Sequence, residues 1–161
     1  MRGQLWSTDF IVSATMFFTV LFLVIFVWNY TNTQGRERLE FNSIETLALT
    51  VSDAIIRTPG LPEDWNASNV RVLGIASDDN VLNSTKVLRF VNLPYSNSRA
   101  LISQKYQFYF ELRNTTGEII ENSGTNLTTG VYPFDPSIVV PIDRFVVYED
   151  KIATMKLIVW S

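Results

Sequence analysis

The 161-residue chain contains no cysteine and no histidine. Without cysteine there is no disulfide framework, thiolate zinc site, iron–sulfur cluster or cysteine nucleophile. Without histidine there is no Ser-His-Asp triad, imidazole base or imidazole metal ligand. Charge is also scarce. Asp, Glu, Lys and Arg make up 18% of the chain, and 13 basic against 16 acidic residues leave a net charge of -3. With a pI near 4.9, the chain lacks the basic footprint of a nucleic-acid binder. No nucleic-acid partner and no cofactor are expected. The length suits a single hydrophobic core.

What the chain has in quantity is apolar residues, 47% overall, unevenly placed. Twenty of the first 30 residues are apolar, and only Arg2 and Asp9 are charged there. Phe10 to Trp28 (FIVSATMFFTVLFLVIFVW) has no charge, Gly or Pro. As a helix these 19 residues span about 28 Å, close to the hydrocarbon thickness of a bilayer. Trp6 precedes the run and Trp28 and Tyr30 close it, as interfacial aromatics would. A soluble core helix apolar on every side needs a larger surrounding domain than the remainder supplies. A cleaved secretory signal would have a shorter apolar region and a small-x-small site, whereas Trp28 is followed by NYTNTQGRERLE. The expectation is a retained membrane anchor.

Orientation is nearly balanced by flanking charge. Arg2 and the α-amine precede the run, while Arg36 and Arg38 follow it among Glu37 and Glu40. Five N-x-[ST] triplets begin at Asn29, Asn66, Asn83, Asn114 and Asn126. Either they are acceptors on an exported surface, or they arise by chance from a surface rich in Asn, Ser and Thr. With the missing cysteine, they favour a large extracytoplasmic domain and a cell-surface location.

The chain opens Met1-Arg2-Gly3-Gln4, then Leu5-Trp6-Ser7-Thr8-Asp9-Phe10, then the apolar run. This resembles the class III signal of archaeal type IV pilins and pilin-like proteins, a short basic leader ending in Gly before Gln. The resemblance implies cleavage between Gly3 and Gln4 by a prepilin peptidase, leaving the apolar helix on the mature protein. Gly is a small, accessible residue at such a cut. In the family an acid at the fifth mature position meets the amine of a neighbouring subunit and sets assembly register. That position is Thr8 here, and the acid is Asp9. The offset turns the side chain by about 100° on a helix.

Arg36 to Arg57 places Leu39, Ile44, Leu47, Val51 and Ile55 at near-helical spacing, with Glu37, Glu40, Glu45 and Asp53 mainly off that stripe. Thr58-Pro59-Gly60 ends the pattern, and Gly35 is a candidate bend. Leu5 to Ile56 reads as one nearly continuous helix of 52 residues, about 78 Å long. Residues 1–3 are then a leader, 4–30 the transmembrane or filament-core helix, 31–58 its amphipathic continuation, and 59–161 an extracytoplasmic head.

In the head, Leu61 to Trp65 reads as a turn with an aromatic plug and Val70 to Ile75 as a strand. Ser84 to Leu93 reads as a short helix capped by Ser84 or Thr85, and Arg99 to Ser103 as a helical turn. In Lys105 to Arg113, Tyr106, Phe108, Phe110 and Leu112 face one way, and Gln107, Tyr109 and Glu111 the other. Asn114 to Gly117 turns into Glu118 to Glu121 as a hairpin, and Asn122 to Gly130 reads as a polar loop. Ser137 to Val140, Arg144 to Tyr148 and Ile152 to Trp160 read as strands, with a tight turn at Glu149-Asp150-Lys151. The fold class is α+β: a long N-terminal helix packed on an antiparallel sheet, type IV pilin-like. GLPEDW, VRVLGIAS, STKVLRFVNLPYSNSRALI, YQFYFEL and RFVVYEDKIATMKLIVW, in that order, resemble a recurrent head among archaeal pilin-like membrane proteins.

No set of residues points to catalysis. Glu63 and Asp64 adjoin in a turn, which is ordinarily a solvated loop and not a glycosidase pair. Asp78-Asp79-Asn80 lacks the spacing of a calcium loop. Phosphate-cradling glycine motifs are absent. Tyr106, Phe108, Phe110 and Trp160 read as core before ligand platform. No catalytic or metal site is assigned, and an anchored enzyme ranks last. The expected function is a structural pilin-like subunit, held by membrane lipid and then self-associating through its N-terminal helix into a pilus or pseudopilus. The alternative is an anchored extracellular binding domain that never polymerises.

Overall fold

A computed structural model describes residues 3–161, with side chains described for 8–32 and 38–161. It divides into two compact units, Met1–Phe41 and Asn42–Ser161. The first helix, α1 (Gly3–Arg57), spans 55 residues and contributes to both. Gly35, the candidate bend, lies outside the residues with described side chains.

In the first unit, Thr8–Asn32 has a mean hydropathy of 2.7, and none of its apolar window is buried. Three threonine hydroxyls within it are satisfied by the preceding turn. Thr15 donates to Ile11 O at 2.7 Å, Thr19 to Thr15 O at 2.8 Å and Thr31 to Val27 O at 2.9 Å. This back-bonding hides the polar groups that a hydrocarbon medium would penalise.

The second unit is α+β. Helices α2 (Ser84–Val91) and α3 (Tyr95–Ile102) accompany a six-stranded sheet. Its strands are β1 (Ala76–Asp78), β2 (Val81–Leu82), β3 (Gln107–Arg113), β6 (Thr128–Gly130), β7 (Val139–Tyr148) and β8 (Lys151–Trp160). A separate hairpin joins β4 (Glu121–Asn122) to β5 (Thr125–Asn126). The order in the sheet is β1-β2-β7-β8-β3-β6. The α+β class and long helix agree with the sequence reading. The sheet itself is mixed, because β2 runs parallel to β7 while the other pairs are antiparallel. Two residues sufficed for that parallel contact, too few to leave a pattern in sequence.

The last turns of α1 bury Ile44, Ala48, Ser52, Ile55 and Ile56, one stripe at helical spacing. Leu39 departs from the expected stripe and is 72% exposed. The buried stripe joins Phe108, Phe110 and Leu112 of β3 and Met155, Leu157 and Val159 of β8 in one core. The orphan carbonyls at the helix end are met by the following chain. Thr58 N donates to Ala54 O at 3.1 Å, Ile75 N to Ile55 O at 3.0 Å and Asn80 N to Ile56 O at 3.0 Å.

Trp65 is the expected plug. Fully buried, it donates from Nε1 to Gly74 O at 2.8 Å and to Pro59 O at 3.2 Å. Gly60 lies beneath it at φ +81, where an added Cβ would stand 2.7 Å from the indole. Val70 to Ile75 is not a strand. It forms one isolated bridge, Leu61 to Val72, because its amides serve the α1 end and this loop. Helix α2 begins at Ser84 as expected, but its cap is Asn83 in place of Ser84 or Thr85, with Asn83 Oδ1 accepting from Lys86 N at 3.1 Å. Asn122 to Gly130 carries β4's end, β5 and β6, because fully buried Leu127 ties it to Leu112 and Ile120.

The two expected strands on either side of Pro141 are one, β7. Since β2 pairs with only Val147 and Tyr148, Pro141 lies where β7 has a free edge and its missing N–H costs nothing. The β7–β8 turn has Glu149 at φ 50 and Asp150 at φ 60, the two-residue left-handed geometry that suits a tight hairpin.

Candidate functional site

Three regions carry the residues singled out from sequence. The first is Thr8–Asn32, in which Asp9 is the sole charged residue and is exposed. Trp28 and Tyr30 are exposed at the far end of the span, 72% and 60%. The expected cleavage position after Gly3 and the expected interfacial aromatic Trp6 lie outside the residues with described side chains, as does Gln4.

The second region is the outer face of the sheet. Asp143, Lys156 and Glu111 form one cross-strand row on β7, β8 and β3. Sequence alternation places Glu111 outward, yet it is 2% exposed. Its Oε1 accepts from Arg113 Nε at 2.7 Å and its Oε2 from Tyr109 OH at 3.2 Å. Asp143 stands 3.7 Å from Lys156. The bond to Glu111, reinforced by its charge, raises the Arg113 pKa. Burial, then the negative charge of Glu111, raises the Tyr109 pKa. Burial likewise raises that of Tyr148, which accepts from Asn122 Nδ2 at 2.6 Å. Sequence alone missed Glu111. The only available signal was an acid flanked at i±2 by Tyr109 and Arg113 on one strand face.

The third region is a cleft of about 620 Å³ where the loop after α1 meets α2, lined by Glu63, Asp64, Lys86 and Arg89 among others. Its cations hold the loop. Lys86 Nζ donates to Pro59 O at 3.0 Å, and Arg89 Nη1 to Trp65 O at 2.8 Å. Asp78 and Asp79 are similarly engaged, the first accepting from Asp79 N at 2.8 Å and the second lying 3.5 Å from Arg57. Among the described residues, no group of three or more Asp and Glu side chains is placed to hold a metal ion. Tyr106, Phe108 and Phe110 are buried in the core, and Trp160, on the opposite face of the sheet, donates from Nε1 to Val131 O at 3.0 Å. These four aromatics form no common platform.

The five triplets differ in setting. Asn29 lies inside the apolar span. Asn83 caps α2, and Asn126 is followed by fully buried Leu127. Asn66 stands in an exposed turn, and Asn114 in the turn after β3. No family model, curated protein or solved structure matches the chain.

Proposed function

We infer that the protein is a structural, pilin-like subunit, anchored in the membrane by Thr8–Asn32 before it assembles with further copies into a pilus or pseudopilus. One observation carries this reading: the 25-residue segment Thr8–Asn32 of α1, apolar on all sides and covered by none of the described residues, bears a single exposed carboxylate near its start. Lipid satisfies such a surface before assembly, and sister helices satisfy it afterwards by close packing. A lone carboxylate at the edge of an apolar medium needs a positive partner. The amine freed by prepilin peptidase between Gly3 and Gln4 would supply one on a neighbouring subunit, with Asp9 setting the register.

The reading needs no catalytic residue, cofactor or nucleic acid. The head, with its own core, provides the exposed extracytoplasmic surface. The test is the mass of the native N-terminus together with microscopy of sheared cell-surface material. Processing should leave Gln4, or its cyclised form, as the first residue, and filaments should contain the chain. Asp9→Ala should lower filament yield several-fold while membrane insertion persists. An intact Met1 with no filaments overturns the reading in favour of a non-polymerising anchored binding domain.

A further inference from the structure

The head holds four N-x-[ST] triplets that sequence treats alike, and their local chemistry separates them. Asn66, Ala67 and Ser68 are all exposed. Asn66 Oδ1 accepts from Ser68 N at 2.9 Å and from Ser68 Oγ at 2.6 Å. Asn114 repeats the arrangement. Its Oδ1 accepts from Thr116 N at 2.9 Å and Thr116 Oγ1 at 2.6 Å, and Thr115 and Thr116 are exposed. In both, the hydroxyl two residues on donates to the amide oxygen. This draws electron density from the amide and turns the triplet outward as a closed loop.

Asn83 and Asn126 are differently placed. Asn83 is the cap of α2, its Oδ1 accepting from Lys86 N at 3.1 Å, and the other two residues of its triplet, Ser84 and Thr85, lie within the first turn of that helix. Asn126 precedes fully buried Leu127, whose N–H donates to Ile120 O at 2.9 Å and whose C=O accepts from Leu112 N at 3.0 Å. Presenting either triplet to an enzyme would require unpicking a cap or a core contact.

We propose that Asn66 and Asn114 are the N-glycan acceptors of the folded head, and that Asn83 and Asn126 are not. The donor is a saccharide linked to a lipid phosphate. A bond forms between Asn Nδ2 and the sugar C1, the bond from C1 to the phosphate oxygen breaks, Nδ2 loses a proton to the transferase, and the lipid phosphate leaves. At Asn66 the Nδ2 donates to no protein acceptor among the described residues, and at Asn114 it donates to Glu118 Oε2 at 3.1 Å, a surface contact that a donor can displace. The proposal rests on the reading that the head is exported.

Glycopeptide mapping of the full-length protein from its native membranes tests it. Peptides holding Asn66 and Asn114 should carry glycan, and those holding Asn83 and Asn126 should not. Asn66→Gln and Ser68→Ala should each remove the same single glycan, the second variant keeping the asparagine. Comparable occupancy at Asn83 or Asn126 overturns the selection. Export is read separately with Ala100→Cys, an exposed position in a chain otherwise free of cysteine, labelled in intact cells by a membrane-impermeant thiol reagent. A labelled head without glycan at Asn66 and Asn114 overturns the modification alone. An unlabelled head that becomes labelled after lysis overturns both the modification and the export on which it rests.

Discussion

The two halves of α1 are both helical and both rich in apolar residues, yet they solve different problems. In Thr8–Asn32 the apolar residues cover the whole circumference, and none of the described residues buries them. From Ile44 onward they form a stripe, and that stripe is buried with the sheet. Apolar content therefore indicates that a helix needs to leave water, while its angular distribution indicates what will receive it: lipid or sister helices for a full circumference, a sheet for a stripe. Hydroxyls bond back to their own helix in both halves, as Thr15 and Thr19 do in the first and Thr50 and Ser52 in the second. The charged groups differ, since Asp53 in the second half accepts from Arg144 of β7 at 2.9 Å.

The same substitution in each half should break this comparison most strongly. Ile55→Ala opens a cavity beneath the sheet and should cost about 3 kcal/mol of head stability, read by chemical denaturation. Ile25→Ala removes the same atoms from an exposed position of the span, 48% exposed, and should leave the head transition unchanged. Equal losses from both would show that the span also belongs to the head's core.

A smaller effect isolates the charged row on the sheet. Arg113→Ala leaves Glu111 buried with only the Tyr109 hydroxyl, at a cost of about 2 kcal/mol. That falls below the full cost of breaking a buried pair because the Arg113 side chain is 38% exposed. Arg113→Lys should recover part of the loss, and the helicity of the span should not change. Circular dichroism of the two variants in detergent checks both points.

The smallest effect is alkaline. Tyr109 and Tyr148 hold their protons more tightly in the folded head than free tyrosine does. Above pH 10 the native state then binds more protons than the unfolded state, so stability should fall as pH rises through the folded pKa values. Both tyrosines contribute fully below pH 10. Tyr109→Phe should flatten the fall, measured as the denaturation midpoint against pH. An unchanged slope would mean that Tyr148 or another group carries it.

Much of the fold was legible because its causes are local. A charge-free apolar run, a Thr-Pro-Gly stop, the alternation of Tyr106 to Leu112 and the Glu149-Asp150 turn each report conformation from neighbours in the chain. Val70 to Ile75 reads as a strand because an apolar run looks the same whether its amides pair with a strand or cap a helix. Spacing places Leu39 on the stripe, but the stripe's contact with the sheet begins only at Ile44. Asn122 to Gly130 reads as a loop because it is mostly polar, and the one side chain that organises it, Leu127, leaves no pattern in sequence.

By itself the sequence determined the apolar span, the amphipathic second half of α1 and the α+β class, since composition and periodicity act over a few residues. Tertiary structure alone decided that Glu111 is buried, that β2 joins β7 in parallel, and that the asparagines of the triplets stand in unlike surroundings. Those outcomes depend on which distant groups meet. Burial and hydrogen bonding are settled between partners far apart in the chain, where no local pattern records them.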